Sequence, residues 1–257
     1  MGRLAALTRP GISLAEETAD FFLYFGKVCA AVPRGLRERG ELGRQLMHVG
    51  VGSFPVVFFT AAFTGAVIAL QTYTGFIRFR TEGLVGSVVA LSMLREVTPV
   101  LAALMVTARV GSAMAAEVGS MRAAEQIDAL VAMGTDPIEY LFVPRVLAGA
   151  TMLPLLVVLG DFVAIVGGRI AATTLLGANS VQYDDSTFAY LDLRDFWSGV
   201  VKASAFGLLF TLICCQKGYQ ATGGAAGVGH ATTRAVVSAS LSVVIVDFFL
   251  SKLLFVL

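Results

Sequence analysis

Residues 94–137 have the sequence LREVTPVLAALMVTARVGSAMAAEVGSMRAAEQIDALVAMGTDP, in which a long apolar stretch runs into a short acidic one. The apolar stretch is long enough to enter a membrane, although charged side chains lie along it. In the acidic stretch, residues 120–133, helical spacing sets Glu125 and Asp128 apart from the apolar side chains. The junction therefore predicts a membrane helix that delivers a contact surface to the water phase.

The composition of the whole chain is that of a membrane protein. Of its 257 residues, 56% are hydrophobic and only 14% are charged, and the mean hydropathy is +0.79. A soluble domain has about 25% charged residues, so the deficit of charge is large. The net charge of +1 gives no sign of a nucleic-acid partner.

Five stretches approach the roughly 20 apolar residues that a helix needs to cross a bilayer. They cover residues 51–71, 97–118, 140–168, 196–215 and 234–257. An excess of basic residues precedes the first stretch, which predicts a cytoplasmic N-terminus. Alternation of sides then places residues 119–139 in the cytoplasm, and the acidic, polar loop 172–195 and the C-terminus outside.

The N-terminal region has a different pattern. Between residues 12 and 36, apolar side chains recur near helical spacing and charged side chains lie on the other face, which is typical of an amphipathic helix in the membrane interface. A sixth, shallow or re-entrant span is the alternative, because residues 23–32 are apolar but few.

The predicted fold is therefore an all-α polytopic membrane protein with one domain. The N-terminal interfacial helix covers residues 10–40 approximately, five transmembrane helices lie within 45–257, and a cytoplasmic helix at 120–134 joins the second and third spans. The chain is expected to cross its membrane several times.

The short cytoplasmic helix has sequence signals at both ends. Ser120 is a possible N-cap, Gly134 is placed to end the helix, and Asp136 with Pro137 marks the start of the next span. A short capped helix held between two spans could act as a rigid lever. An ordinary interfacial loop helix has the same pattern, and the spacing does not distinguish the two.

Charged residues within the spans need partners. Each costs at least about 2.5–3.5 kcal/mol on insertion scales unless it meets a partner, a wet cavity or a helix end. Depth along the spans predicts these structural pairs: Glu96 with Lys202, Arg109 with Asp247 or a backbone carbonyl, and Glu117 with Arg145. A proton or ion relay through the same residues is the alternative.

A ladder of small residues follows the second span. Gly111, Ala115 and Gly119 recur at every fourth position, so another helix can approach this face closely. The partner could belong to the same chain or to a second subunit, and the ladder suits both.

The sequence contains no constellation typical of an enzyme. His48 and His230 are the only histidines, and neither lies in a metal-ligand spacing. The glycine-rich run 223–233 lacks the lysine of a phosphate-binding loop, and the three cysteines form no CxxC pattern. We therefore expect no catalysis, no metal site and no cofactor on this chain. Uphill transport would take its energy from a partner or an ion gradient.

Residues 94–150 closely resemble the signature region of the MlaE/YrbE family of permeases, including the elements EQIDAL at 125–130 and MGTDP at 133–137. These permeases are membrane subunits of ABC transporters associated with MCE-domain lipid-transfer proteins. The resemblance implies a homodimer, cytoplasmic ABC ATPase subunits that bind ATP and Mg, and a periplasmic ring of MCE-domain protein. It also implies phospholipid transport between the inner and outer membranes.

The resemblance also assigns residues to two sites. It implies that the short cytoplasmic helix is a coupling helix docking on the ATPase through Glu125, Gln126, Asp128, Ala129 and Leu130, with Glu117 and Arg122 beside it. It implies a lipid pocket at the dimer interface, for which the lining candidates are Phe58, Phe59, Phe63, Val67, Leu70, Leu101 and Met105. Ordinary lipid-facing or packing residues would have the same composition.

Two other functions are compatible with the residues alone. In a stand-alone secondary transporter or channel, an ion pathway would run through Glu96, Arg109, Lys202 and Asp247. In a scaffold, the chain would only anchor an MCE-domain protein. The sequence does not specify the direction of transport or the lipid head group.

Overall fold

The computed structural model describes the backbone of residues 2–35 and 39–255, and the side chains of residues 19–35 and 40–255. These described residues form helices, turns and bends and contain no strand. Five helical segments are long and apolar enough to cross a membrane, so the predicted all-α polytopic fold is confirmed. They are Gly40–Phe79, Glu82–Ala123, Ile138–Leu175, Leu193–Tyr219 and Gly224–Phe255.

Ten α-helices make up these spans and their connections. In chain order they are α1 (Gly2–Gly35), α2 (Arg39–Phe76), α3 (Val85–Ser92), α4 (Thr98–Val106), α5 (Ser112–Ala123), α6 (Gln126–Ala132), α7 (Val143–Ile170), α8 (Ser180–Ala189), α9 (Leu193–Tyr219) and α10 (Gly224–Phe255). The first span is α2, the second combines α3, α4 and α5, and the last three are α7, α9 and α10.

The second span contains two π-helical turns. Met93–Val97 separates α3 from α4, and Thr107–Gly111 separates α4 from α5. Such turns are rare and are found mostly at functional sites. The first carries Arg95 and Glu96 and the second carries Arg109, so three charged residues of this span lie where the helix is locally widened.

Glycines allow the spans to cross closely. A Cβ at Gly65 of α2 would collide with the backbone carbonyl oxygen of Ala164 in α7, and one at Gly207 of α9 would collide with that of Gly149. Membrane helices associate through close packing, because lipid tails offer no hydrophobic gain from burial. Around these crossings, α7 packs between α2 and α9, and α10 packs against α5 and α9.

The small-residue ladder of the second span packs within the chain. A Cβ at Gly111 would lie 2.8 Å from Cys214 Sγ, and one at Gly218 would lie 2.6 Å from the carbonyl oxygen of Ala115. Further along, a Cβ at Gly119 would lie 3.2 Å from Val228 Cγ1. The helices that approach the ladder therefore belong to the same chain and not to a second subunit. They are α9 and the start of α10.

The N-terminal helix α1 lies against the ends of the spans next to α6. The ring of Tyr24 stacks on Phe142 with 5.6 Å between centroids, and Gln220 donates a hydrogen bond to Asp20 at 3.2 Å. α1 is not among the described segments apolar enough to span a membrane, which favours the interfacial prediction over a sixth span. The part of the predicted amphipathic pattern before residue 19 lies outside the described side chains.

The segment predicted as the loop 172–195 contains a helix. α8 starts at the N-cap Asn179, whose side chain accepts hydrogen bonds from the backbone of Val181 and Gln182. The helix is held by Arg169, which donates two hydrogen bonds to Asp184 at 2.6 and 2.8 Å, and α8 packs on α3. The polar composition therefore reflects a capped surface helix rather than an irregular loop.

This ion pair makes a testable prediction for the outer helix. The hydrogen bonds from Arg169 lower the pKa of Asp184 below its ordinary value. The ion pair therefore stabilises the docked helix fully at pH values above that ordinary pKa, and this stabilisation is lost as the pH falls through the lowered pKa. Arg169→Gln is expected to raise the Asp184 pKa towards its ordinary value, measured by NMR titration of the labelled carboxyl. Arg194→Gln is the control, since Arg194 bonds instead to the carbonyl of Leu254. An unchanged Asp184 titration in Arg169→Gln would contradict the assignment.

Candidate functional site

The short helix between the second and third spans begins later than its sequence indicates. Ser120 is not an N-cap: it lies inside α5, and its hydroxyl donates to the carbonyl of Glu117 at 2.8 Å. The helix α5 continues because its end is packed, with Gly119 beside Ala221 and the start of α10. The chain then turns at Glu125, whose backbone is left-handed with φ +57°, and α6 covers only Gln126–Ala132 instead of the predicted 120–134.

The end of α6 matches the sequence prediction. Gly134 has φ +78°, and its N–H bonds the carbonyl of Val131 while that of Thr135 bonds the carbonyl of Leu130. These two bonds are a Schellman motif, for which glycine is favoured because the position requires positive φ. The Asp136 side chain then accepts a hydrogen bond from the backbone of Ile138 at 2.9 Å, where the third span starts.

One face of α6 is exposed and mixes charged with apolar side chains. Ile127 is fully buried and Leu130 is half-buried, both against the ends of the spans. The exposed residues, which we call the α6 contact surface, are Glu125, Gln126, Asp128, Ala129, Val131 and Met133. The sequence prediction did not include Val131 and Met133, whose exposure is 56% and 71%. Exposed apolar side chains among charges are typical of a protein contact site.

Two ion pairs tie this region to the spans. Arg145 of α7 is fully buried, and its Nη2 lies 2.8 Å from Glu117 Oε2 at the end of the second span. Arg122 lies 2.7 Å from Asp128 Oδ1 in α6 and 5.8 Å from the ring centre of Tyr219 in α9. The predicted pair of Glu117 with Arg145 is therefore in contact. These contacts connect α6 to the end of the second span, and that end to the third and fourth spans.

A second charged cluster lies towards the other end of the spans. Lys202 of α9 is fully buried, and its Nζ lies 2.7 Å from Glu96 Oε2 and 3.1 Å from Asp247 Oδ1. It also donates hydrogen bonds to Ser251 Oγ at 2.7 Å and to the carbonyl of Arg95 at 2.8 Å. This lysine cluster joins the second, fourth and fifth spans, and it contains the predicted pair of Glu96 with Lys202.

The predicted partners of Arg109, which were Asp247 or a backbone carbonyl, are not the partner that the structure shows. Asp247 is bound to Lys202, and Arg109 instead donates a hydrogen bond to Ser53 Oγ of α2 at 3.1 Å. Depth along a span indicates which residues share a level, but it does not specify which side of the helix they face. The π turn Thr107–Gly111, which includes Arg109, changes that rotation locally.

The charged residues proposed for an ion pathway do not form one row. Glu96, Lys202 and Asp247 meet at a single point, whereas Arg109 faces α2. A further pair, Arg95 with the buried Asp195 at 2.6 Å, was not predicted. The sequence did contain a signal for this pair. Asp195 lies at the start of the fourth span, on the side of the membrane that was also predicted for Arg95.

The lipid-pocket candidates lie on α2 and α4. On α2, five of them form an exposed apolar face, with Phe63 70% exposed: Phe58, Phe59, Phe63, Val67 and Leu70. On α4, Leu101 and Met105 are half-buried, and Leu101 lines a small cavity with Thr60 of α2. The structure therefore places the α2 candidates on one surface of the chain, with those of α4 on a neighbouring helix.

Comparisons with known proteins agree with this architecture. The family model "Permease MlaE" matches residues 42–253. A probable ABC transporter permease protein of Rickettsia felis is 44% identical over 95% of this chain and 94% of its own length. The intermembrane phospholipid transport system permease protein MlaE of Haemophilus influenzae is 34% identical over 95% of this chain and 96% of its own length.

A plant protein is also similar. The chloroplastic protein TRIGALACTOSYLDIACYLGLYCEROL 1 of Arabidopsis thaliana is 35% identical over 90% of this chain and 66% of its own length. The family match covers most of the chain, and the relatives extend over nearly all of it. The chain therefore belongs to the MlaE permease family, a family of multi-span transporter subunits and not of enzymes.

Proposed function

We propose that this chain is the membrane-spanning permease subunit of an ABC transporter that moves phospholipids between the inner membrane and an MCE-protein conduit towards the outer membrane. Family membership and the name of the Haemophilus influenzae relative, an intermembrane phospholipid transport permease, support this function. The structural observation that carries the proposal is the α6 contact surface, which the ion pair of Arg122 with Asp128 holds to the end of the second span.

A separate cytoplasmic ATPase subunit docks on α6 and binds the ATP and Mg that drive transport, while this chain binds no cofactor. The α6 contact surface supports this docking because its charged residues, Glu125 and Asp128, surround the exposed apolar Val131 and Met133. Closure of the ATPase would displace α6. The contacts of Glu117 with Arg145 and of Arg122 with Tyr219 would pass that displacement to the spans.

A second copy of the chain covers the apolar face of α2, and phospholipid binds between the two copies. Phe58, Phe63 and Leu70 are exposed on this face and would supply an apolar lining for acyl chains. The acyl chains of a bilayer lipid do not require polar side chains around them. ATP-driven motion changes the affinity for lipid between two conformations, and transport follows from that difference.

The proposed orientation follows from the same arrangement. The N-terminus and α6 lie on the cytoplasmic side of the inner membrane, where the basic residues before the first span favour them. The lysine cluster and α8 then lie towards the periplasm. A ring of MCE-domain protein docks on that side and receives or delivers the lipid.

The test is ATP-stimulated phospholipid transfer by the complex reconstituted in vesicles. Asp128→Lys puts a second cation beside Arg122 and cancels the net negative charge of the α6 contact surface, so transfer is expected to fall at least tenfold, equivalent to about 1.4 kcal/mol of docking free energy. Asp185→Lys, an exposed charge reversal on α8 and away from α6, is the control for ATPase docking: it should leave retention of the ATPase subunit in the native mass spectrum unchanged, whereas Asp128→Lys should lower it.

Thermal melting of each complex checks that the fold is intact, because both side chains are exposed. Unchanged transfer in Asp128→Lys would favour the scaffold function. Transfer without ATP, by a chain whose native mass spectrum retains no ATPase, would favour a secondary transporter.

A further inference from the structure

A second acidic residue is buried within the spans, outside both charged clusters. Asp161 of α7 is only 6% exposed, and its Oδ1 has no hydrogen-bond partner. At about 1.5 Å per residue, roughly 21 Å of helix separate it from the outer end of its span at Leu175, so it lies deep in the bilayer. An ionised carboxylate in this position would cost far more than a neutral one.

The neighbour of Asp161 is a hydroxyl that also lacks a partner. The Thr98 side chain lies beside the Asp161 carboxyl, and its buried Oγ1 has no hydrogen-bond partner in the described structure. The helices are close here, because a Cβ at Gly160 would lie 2.9 Å from Thr98 Cγ2. The hydroxyl has a proton to donate to either form of the carboxyl, so it does not supply the counter-charge that a buried carboxylate needs.

A cavity adjoins the Thr98 hydroxyl. It measures about 10 Å³ and is lined by Thr60 of α2 and by Thr98 and Leu101 of α4, among others. That is close to the minimum of about 10–15 Å³ that holds one water molecule. Thr98 lines this cavity, which lies between the first and second spans, and also lies beside the Asp161 carboxyl, so a movement of the second span would bring the carboxyl to a water molecule held there.

The described charged groups near this site are engaged elsewhere. α2 contributes no titratable residue between His48 and Tyr73. The groups on the packed elements have these partners: Arg95 with Asp195, Lys202 with Glu96 and Asp247, Arg109 with Ser53, Arg145 with Glu117, and Arg169 with Asp184. Tyr183 approaches α7 at Gly168, two helical turns further out. No described cation therefore balances a negative charge on Asp161.

We propose that Asp161 and Thr98 form a proton-binding site between the second and third spans. The Asp161 carboxyl holds a proton, and a small rotation of the Thr98 side chain brings its hydroxyl into a hydrogen bond with that carboxyl. A metal ion is a poorer occupant, since a hard cation such as Ca²⁺ takes about six to eight oxygen ligands, more than one carboxyl and two threonine hydroxyls supply. Movement of the second span would bring the carboxyl to a water molecule in the cavity, and the carboxyl would release its proton to that water.

Infrared spectroscopy of the full-length protein in lipid bilayers tests the proposal directly. The wild-type protein at neutral pH should show a C=O stretching band of a protonated carboxyl, and Asp161→Asn should lose that band. Thr98→Val should keep the band and shift its frequency, because a hydrogen bond to the carboxyl is removed. Asp128→Asn, an exposed acid, is the control and should leave the band unchanged.

The proposal is overturned if the carboxyl region of Asp161→Asn is identical to that of the wild type, since Asp161 is then ionised. If Asp161→Asn does not fold, infrared spectra of the wild-type protein recorded over a range of pH test the proposal instead. A protonated-carboxyl band that persists after the exposed acids have ionised and shifts in Thr98→Val supports the site. A wild-type spectrum without such a band, or a band that does not respond to Thr98→Val, rejects it.

Discussion

Replacing Lys202 with methionine is expected to destabilise the folded protein by about 3–5 kcal/mol, the usual cost of removing one partner from a buried ion pair. The fully buried Nζ of Lys202 lies between Glu96 and Asp247, and its loss would leave two carboxylates beside each other with no cation. Glu96 is 43% exposed and can turn towards solvent or head groups, so most of the loss comes from Asp247, which is 19% exposed.

The measurement is thermal unfolding of the purified protein in mild detergent, followed by size-exclusion chromatography. Lys252→Met is the matched control, since Lys252 lies exposed near the end of α10, and its melting temperature should stay near that of the wild type. The combined change Lys202→Met, Glu96→Gln and Asp247→Asn should recover most of the stability, because no charge is left unpaired. The prediction is contradicted if Lys202→Met has the melting temperature of the wild type, or if the combined variant recovers no stability. Either result would show that the cluster does not hold the spans together.

Gly65→Ala is expected to cost about 1–3 kcal/mol, which is typical of adding a methyl group to a tightly packed position. The new Cβ would collide with the carbonyl oxygen of Ala164, a backbone atom that cannot rotate away, so α2 and α7 would have to separate. On the same crossing, a Cβ at Gly167 would lie 2.6 Å from the carbonyl oxygen of Ala62, and no nearby side-chain change relieves the strain.

Gly43→Ala is the control for Gly65→Ala. Gly43 lies on the same helix, and a Cβ there would meet nothing within 4 Å. Replacement of an exposed helical glycine by alanine is expected to stabilise by roughly 0.5–1 kcal/mol, because the unfolded chain loses conformational freedom. Melting curves of the two variants should therefore move in opposite directions. A loss of stability in Gly43→Ala as large as that in Gly65→Ala would contradict the crossing as the cause.

Local signals were sufficient for the spans and for the end of α6. The five apolar stretches appear as five membrane-crossing segments, because each satisfies its backbone hydrogen bonds within itself and needs no distant partner. Gly134 ends α6 for a similarly local reason, since the turn requires positive φ. Ser120 has an equally good local signal as an N-cap, but packing of α5 against α9 and α10 extends the helix past it.

Partner choice among the charged residues could not be predicted from the sequence in the same way. Depth placed Glu96 level with Lys202, yet it did not reveal that Asp247 joins the same lysine or that Arg109 faces Ser53. Asp161 was not singled out at all, although it lies inside a predicted span. Whether a buried carboxyl has a cation, a hydroxyl or nothing beside it depends on helix rotation and on π turns.

The sequence by itself determined the number of spans, the short helix between the second and third, and the family to which the chain belongs. These depend on composition, helical period and short motifs, all of which act over a few turns of one helix. Only the tertiary structure decided which faces meet: the lysine cluster, the glycine crossings and the site of Asp161 with Thr98. The physical reason is that in lipid the hydrophobic effect does not drive helices together, so contacts between them are set by close packing and polar pairing of residues far apart in the chain.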